Sequence, residues 1–543
     1  MANSQPRIPS QHGTLEYLRL QYDNAIASGV KRPLLFPQML LSMALLAGFL
    51  LIDHRRSRIL YQLRWPVWFA IIAVEVSNIR HRISVEPAVS YISGVASIYV
   101  VVWSTMWLIF ERPQFTAKRI ERRRKALQNG ARATSGRTTQ EGSETIGYKM
   151  NGNGNSLKRQ NDHAAALPTI DESLVDTKNS KGKWEYYWQP YPDAFGERLA
   201  WVLDLTFSFR GRGWNFSIPT NPALPEDIAA SLGDTVPKAD EPLISKTGIK
   251  CFRTRKELAR YVIPLFITCY LLLDMCKFQI IHDPFYRTGD DSLPAPPYLE
   301  GFPPFLVTRI RRNTVVLSLV VFIQFHALLV PIIASLLLGP SVLGIRGEPW
   351  MYATTWGGPA TILDKGLGGF WGSWWHQTFR AGFTAPTNYL IRKGWLRGNS
   401  IASQVVGIVI AFTISGAMHT AGSYVQVLPT HPERQLTFFL LQIVAVTVQT
   451  LLCAVLRPLI ERLPRWVRRT GNGLLAYVWL YATMPLFSDD MSAGGTWMYE
   501  PVFVSPLRWM GLGPKGYGWW TWAHVEIGWY SGRHWWESGI GGL

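Results

Sequence analysis

Two histidines stand where side-chain chemistry is possible. His376 follows Trp374 and Trp375 in the run Gly369-Phe370-Trp371-Gly372-Ser373-Trp374-Trp375-His376-Gln377-Thr378-Phe379-Arg380. His419 closes Ser415-Gly416-Ala417-Met418-His419 within residues 401–425, a stretch that is apolar and uncharged. An ionisable ring in a segment fit for a bilayer is expensive to place and marks a functional position by default. A neutral imidazole can take the proton of an alcohol as the oxygen attacks a carbonyl. The plainer alternative for His419 is a ring packed and hydrogen-bonded between helices. His376 can donate to a developing oxyanion or orient the alcohol. Its alternative is a snorkelling ring in an interfacial aromatic cluster. No serine or cysteine sits in a nucleophile-elbow pattern, so direct transfer is expected rather than an acyl-enzyme.

Between Asp364 and Glu433 the sequence has no carboxylate, so Arg380, Arg392, Lys393 and Arg397 are unpaired within that stretch. Such cations suit the phosphates of an amphipathic anion such as a CoA thioester. They also suit the ordinary cytosolic flank of spanning helices. His326 has no motif around it and reads as structural. Asp274 and Glu75 read as structural or lining residues.

The elements that must position these groups are membrane helices. The chain has 543 residues, 48% hydrophobic and 17% charged, against roughly 25% charged in a soluble domain. Its net charge of +18 lies beside apolar spans, as in positive-inside flanks, which argues against nucleic acid as a partner. The 24 tryptophans suit interfacial belts. The four cysteines lack metal spacing and read as small apolar packers. Spans are expected at 34–52, 88–110, 314–339, 401–425 and 435–456, with shorter ones at 261–276 and 473–487. The shorter run 66–76 counts as a span only if it starts near Leu60. The expected fold is all-α: a polytopic integral membrane protein with about 7–9 transmembrane helices around an internal reaction chamber.

The chain divides into a polar N-terminus (1–33), N-terminal transmembrane helices with a basic juxtamembrane segment (34–127), a polar insert (128–183), a cytosolic amphipathic segment (184–260) and a catalytic membrane domain (261–543). The insert is too poor in apolar residues to bury a core and is expected to be disordered. No signal-peptide pattern precedes the first span, which is expected to insert uncleaved. The basic clusters place the 341–400 connector on the cytosolic side and His419 nearer the opposite end of its span.

Phe370 to Arg380 resembles the aromatic signature of the wax-synthase-like membrane acyltransferases, relatives of the membrane-bound O-acyltransferases. Ser415 to His419 resembles their second signature, which holds the proposed catalytic histidine. Glu348-Pro349-Trp350 and Gly357-Gly358-Pro359 resemble the family's approach to the first signature. Gly211-Arg212-Gly213-Trp214-Asn215 is similar to a cytosolic motif of fungal members. Ser373 departs from the pattern, standing where the family often has arginine; the salt bridge or phosphate contact expected there would then fall to Arg380.

The resemblance implies transfer of an acyl group from acyl-CoA, used as co-substrate, to a hydroxyl, with no bound cofactor and no metal. His419 and His376 would be catalytic. Trp371, Trp374, Trp375, Gln377, Arg380, Arg392, Lys393 and Arg397 would bind substrate. Fungal relatives of this kind often acetylate terpenoid or polyketide secondary metabolites, which favours acetyl-CoA and a lipophilic alcohol, in the endoplasmic reticulum membrane. A long-chain wax-ester or sterol-type reaction is the alternative. The rival class is a proton-coupled transporter using His419, Asp274 and Glu75, although the sequence has no internal repeat of the kind such proteins often show.

Overall fold

The computed structural model describes residues 11–124, 184–234, 241–513, 518–524 and 527–542. The polar insert expected at 128–183 and residues 1–10 lie outside them. The chain forms two compact units, Met1–Glu121 with Tyr187–Leu543, and Arg122–Tyr186. In the second unit the Arg122 guanidinium lies over the Trp184 ring.

The first unit is mainly helical, with two short strand pairs among its described residues, Arg32–Pro33 parallel to Arg82–Ile83 and Ile527–Tyr530 antiparallel to Gly539–Gly542. In order it contains α1 (Gln11–Ala27), α2 (Leu41–Leu51), α3 (Arg58–His81), α4 (Pro87–Phe110), α5 (Phe195–Phe207), α6 (Arg255–His282) and α7 (Pro304–Gly347). There follow α8 (Ala360–Gly369), α9 (Arg380–Arg392), α10 (Ile401–Tyr424), α11 (Pro432–Val455), α12 (Arg465–Thr483) and α13 (Pro485–Ala493). Among the described residues six helices, α3, α4, α6, α7, α10 and α11, are long and apolar enough to cross a membrane. The chain is a polytopic membrane protein.

Helix α3 starts before Leu60, so the doubtful run at 66–76 is part of a full-length span; the Ser57 hydroxyl caps it by accepting from Leu60 N at 3.3 Å. Two expected spans fall short. The run at 34–52 forms the shorter apolar helix Gln38–Leu51. The run at 473–487 is divided at Met484 between α12 and α13, with Pro485 opening the new helix, where its missing N–H costs nothing. The connector at 341–400 is largely helical, because α8 and α9 arise within it.

Helix α10 packs against α4, α9 and α11. It carries no charge along its length, and the Ser400 side chain caps its start. Where α10 meets α4, a Cβ on Gly422 would lie 2.9 Å from the Tyr91 carbonyl oxygen. Two glycines, Gly94 on α4 and Gly422 on α10, therefore let these backbones approach closely, as small residues do between membrane helices.

Helix α11 carries three buried glutamines seven residues apart, Gln435, Gln442 and Gln449. Seven residues are close to two helical turns, so the three share one face. Gln435 donates to the Phe487 carbonyl at 3.1 Å, on α13. Gln442 accepts from Trp479 Nε1 at 3.1 Å, on α12. Gln449 accepts from Leu367 N at 3.0 Å, on α8. The last bond closes a break in α8, where Gly366 has φ +60 and ψ −135. That left-handed conformation favours glycine, and it sets the direction in which the chain enters the tryptophan-rich turn.

Candidate active site

The tryptophan-rich turn is a π-helical turn, Phe370–Trp374, running on from α8. Single π turns within helices recur at functional sites. Trp356 stacks on Trp374 at 5.3 Å and meets the His376 ring edge-on at 5.9 Å. Trp375 lies 5.2 Å from the His376 ring and Phe379 5.7 Å from it. His376 is part-buried, and its Nδ1 is buried with no hydrogen-bond partner. Burial pushes its imidazole down to about 4, and the nearby Arg210 guanidinium adds to the shift. His376 is thus a neutral ring at physiological pH, available as a donor or acceptor.

Helices α9 and α10 are consecutive and packed together, which returns the chain from His376 to His419. A relay of ring contacts joins the two imidazoles: His376 to Trp375, Trp375 to Trp371 at 5.7 Å, Trp371 to Phe439, and Phe439 to His419. His419 is stacked on Phe439 of α11 with centroids 4.8 Å apart and planes 8° from parallel. The edge of Phe487 closes a second side at 5.1 Å. Trp371 packs on the same Phe439 at 6.3 Å, so Phe439 lies between the first motif and the second.

Nδ1 of His419 lies 2.9 Å from the Tyr91 hydroxyl of α4. That hydroxyl is 3.4 Å from Gln435 Oε1. Gln435 Nε2 donates to Asp490 Oδ2 at 2.9 Å, and Ser423 Oγ donates to the same oxygen at 2.7 Å. A chain of polar groups thus runs from His419 through Tyr91 and Gln435 to Asp490. Tyr91, Gln435, Asp490, Phe439 and Arg210 were not singled out by sequence. The signal that could have found Gln435 was the seven-residue glutamine spacing in an apolar span; Asp490 had no such signal.

The remaining expected site residues divide. Trp374 and Trp375 line the His376 side. Gln377 is buried, donates to the Trp371 carbonyl at 3.2 Å and accepts from Arg380 Nη1 at 2.6 Å. Arg380 Nη1 also donates to the Gly372 carbonyl at 2.8 Å, next to Ser373. These two side chains brace the turn. Arg392 is not free: it pairs with Glu111 at 2.7 Å, a carboxylate distant in sequence and so outside the stretch that lacks one. Lys393 and Arg397 are exposed. A rise of 1.5 Å per residue puts His419 roughly 27 Å along α10 from its first turn, near which both cations lie.

The other candidate ionisable groups are occupied. Asp274 accepts from Leu507 N at 3.0 Å and from Ser505 Oγ. Glu75 accepts from Asn78 at 3.1 Å. His326 Nδ1 contacts the Phe322 carbonyl at 2.9 Å. These are structural roles. In the 211–215 motif, Arg212 is buried and donates to the Trp350 carbonyl at 3.1 Å, joining the motif to Glu348-Pro349-Trp350. Arg210, just before the motif, donates to the Thr354 carbonyl at 3.0 Å, while its Nε and Nη2 are buried without partners.

The segment that holds both histidines and the start of the glutamine face has known relatives. Residues 357–441 match the Membrane bound O-acyl transferase family. The resemblance drawn from the two histidine motifs is borne out. The chain is 24% identical over 276 residues to the O-Mevalon transferase yanI of Aspergillus niger, covering 48% of this chain and 54% of that protein. It is 33% identical over 84 residues to the acetyltransferase spyB of Aspergillus fumigatus, covering 15% of this chain and 14% of that one. The chain thus spans about half the length of the first relative and a smaller share of the second. No solved structure matches. The chain is similar to these two fungal transferases, and its match to the Membrane bound O-acyl transferase family covers both histidines.

Proposed function

We propose that this protein transfers an acyl group, acetyl in preference, from acyl-CoA to a hydroxyl of a lipophilic secondary metabolite such as a terpenoid or polyketide. The observation that carries this reading is the aromatic relay of Trp375, Trp371 and Phe439 that links His376 to His419, inside the segment matched by the acyltransferase family. His419 removes the hydroxyl proton as the oxygen attacks the thioester carbon. His376, with Trp374 and Trp375, holds the acceptor or the developing oxyanion. The C–S bond breaks, and the proton leaves with the CoA sulfur. Lys393 and Arg397 meet the CoA phosphates, and the apolar alcohol reaches the site from the lipid phase. The names of the two relatives support acyl transfer, and that of the second supports acetyl. We place the enzyme in the endoplasmic reticulum membrane on the resemblance.

The test is release of CoA thiol by membranes containing the protein, supplied with acetyl-CoA and a panel of lipophilic alcohols. Acceptor-dependent release is expected. No release with any alcohol, from acetyl-CoA or from a long-chain acyl-CoA, would remove the acyltransferase reading. Release only from the long-chain donor would favour the wax-ester type.

A further inference from the structure

The groups behind His419 determine which ring nitrogen is free. We infer that Tyr91, Gln435 and Asp490 are positioning residues that hold His419 with its proton on Nδ1, leaving the Nε2 lone pair as the base. This rests on His419 being the base of the proposed transfer.

The inference follows from counting donors and acceptors, beginning at the far end. A backbone carbonyl can only accept. The Phe487 carbonyl lies 3.1 Å from one end of the Gln435 amide, so that end is the nitrogen. Asp490 confirms the orientation: Oδ2 faces the same nitrogen at 2.9 Å, and Oδ1 accepts from the backbone N–H of His431. The other end of the amide, Oε1, is an acceptor and faces the Tyr91 hydroxyl at 3.4 Å. That hydroxyl has one proton. If it goes to His419 Nδ1, two oxygens that can only accept face each other, and the fully buried Gln435 keeps an acceptor with no partner. Interiors rarely tolerate that. If it goes to Gln435, Nδ1–H of His419 donates to the tyrosine oxygen at 2.9 Å and every member is satisfied.

The arrangement suits the step it serves. As the alcohol oxygen bonds to the thioester carbon, its proton passes to Nε2 and the ring becomes cationic. Nδ1–H then donates more strongly to Tyr91, Tyr91 to Gln435 and Gln435 to Asp490, so the chain ends on a carboxylate. The C–S bond breaks and the Nε2 proton leaves with sulfur. Nδ1 keeps its proton throughout. The stack on Phe439, only 8° from parallel, opposes the ring flip that would put Cδ2 in place of Nδ1 opposite Tyr91.

The test is solid-state nitrogen-15 NMR of the full chain, labelled at histidine and reconstituted in phosphatidylcholine vesicles. The His419 resonances are assigned by their loss in His419→Gln. A neutral ring protonated at Nδ1 is expected. In Gln435→Met the tyrosine proton has no competing acceptor, turns to Nδ1, and the tautomer ratio should invert. Tyr91→Phe, which deletes only one oxygen, should abolish the preference for Nδ1. Protonation at Nε2 in the unmodified protein, or an unchanged ratio in both variants, would overturn the inference. The spectrum reads the tautomer whether or not acyl transfer occurs. A protein protonated at Nδ1 that never releases CoA would refute the reaction and leave the hydrogen-bond assignment standing.

Discussion

The Tyr91 hydroxyl meets His419 at 2.9 Å because two helices touch there almost backbone to backbone. Tyr91 is one turn before Gly94, and His419 is one turn before Gly422. The Gly422 contact with the Tyr91 carbonyl is therefore also what brings the tyrosine ring within reach of the imidazole. Helix packing and site geometry are one feature at this point.

Gly422→Ala tests that dependence. A methyl 2.9 Å from a backbone carbonyl oxygen must push α4 and α10 apart. Overpacking of this kind costs about 1–3 kcal/mol, and acyl transfer should fall as well. Gly48→Ala on α2 is the control, since nothing lies within 4 Å of its Cβ position. Thermal midpoints in detergent should fall for Gly422→Ala and hold or rise for Gly48→Ala. Equal midpoints would show that the close approach is not needed.

His419→Ala should remove transfer while leaving expression and membrane insertion intact. General-base assistance contributes on the order of 10²–10⁴-fold, so thiol release should fall by at least the lower figure. His376→Ala should reduce turnover without abolishing it, because it orients and donates where His419 moves the proton. Near-normal turnover in His419→Ala would remove its assignment as the base.

His376 also makes stability depend on pH. Its folded value of about 4 lies below the ordinary 6.5. As pH falls below 6.5 the unfolded chain takes a proton that the folded chain refuses until about 4. Stability is therefore fully present above 6.5 and is lost progressively down to about 4, by roughly 3 kcal/mol in all. His376→Gln has no such proton to take. Its melting temperature should fall less steeply than that of the unmodified protein between pH 6.5 and pH 4. Parallel curves would refute the buried, neutral state.

The two histidines and their aromatic turn were legible because they combine unusual residue types in runs that chemistry can interpret. Most helices were legible as apolar runs of membrane length. The site's support was not. Tyr91 lies more than three hundred positions before His419, and an isolated tyrosine in an apolar span has no local signature. Gln435, Gln442 and Gln449 were visible as a spacing, but which helix each would meet depends on packing. The charge of Arg392 was misjudged because Glu111, its partner, comes from α4's far end in a different part of the sequence. Hydropathy overestimated the first and last spans, since proline placement and local caps rather than mean apolarity decide where a helix stops.

That correction separates the four cations expected to meet CoA. Arg392 is neutralised at 2.7 Å by Glu111 and also donates to the Phe110 carbonyl at 3.0 Å, so it joins α9 to the end of α4. Lys393 and Arg397 are exposed beside it. Replacing both by glutamine should raise the KM for acetyl-CoA several-fold, about 1 kcal/mol of lost phosphate contact, and leave kcat near its starting value, as loss of uniform binding does. Arg392→Gln should instead lower the melting temperature slightly, since half-exposed ion pairs contribute about 0–1 kcal/mol, and leave KM unchanged. A rise in KM for Arg392→Gln equal to that of the double variant would return Arg392 to the donor site and show that its bond to Glu111 opens when CoA binds.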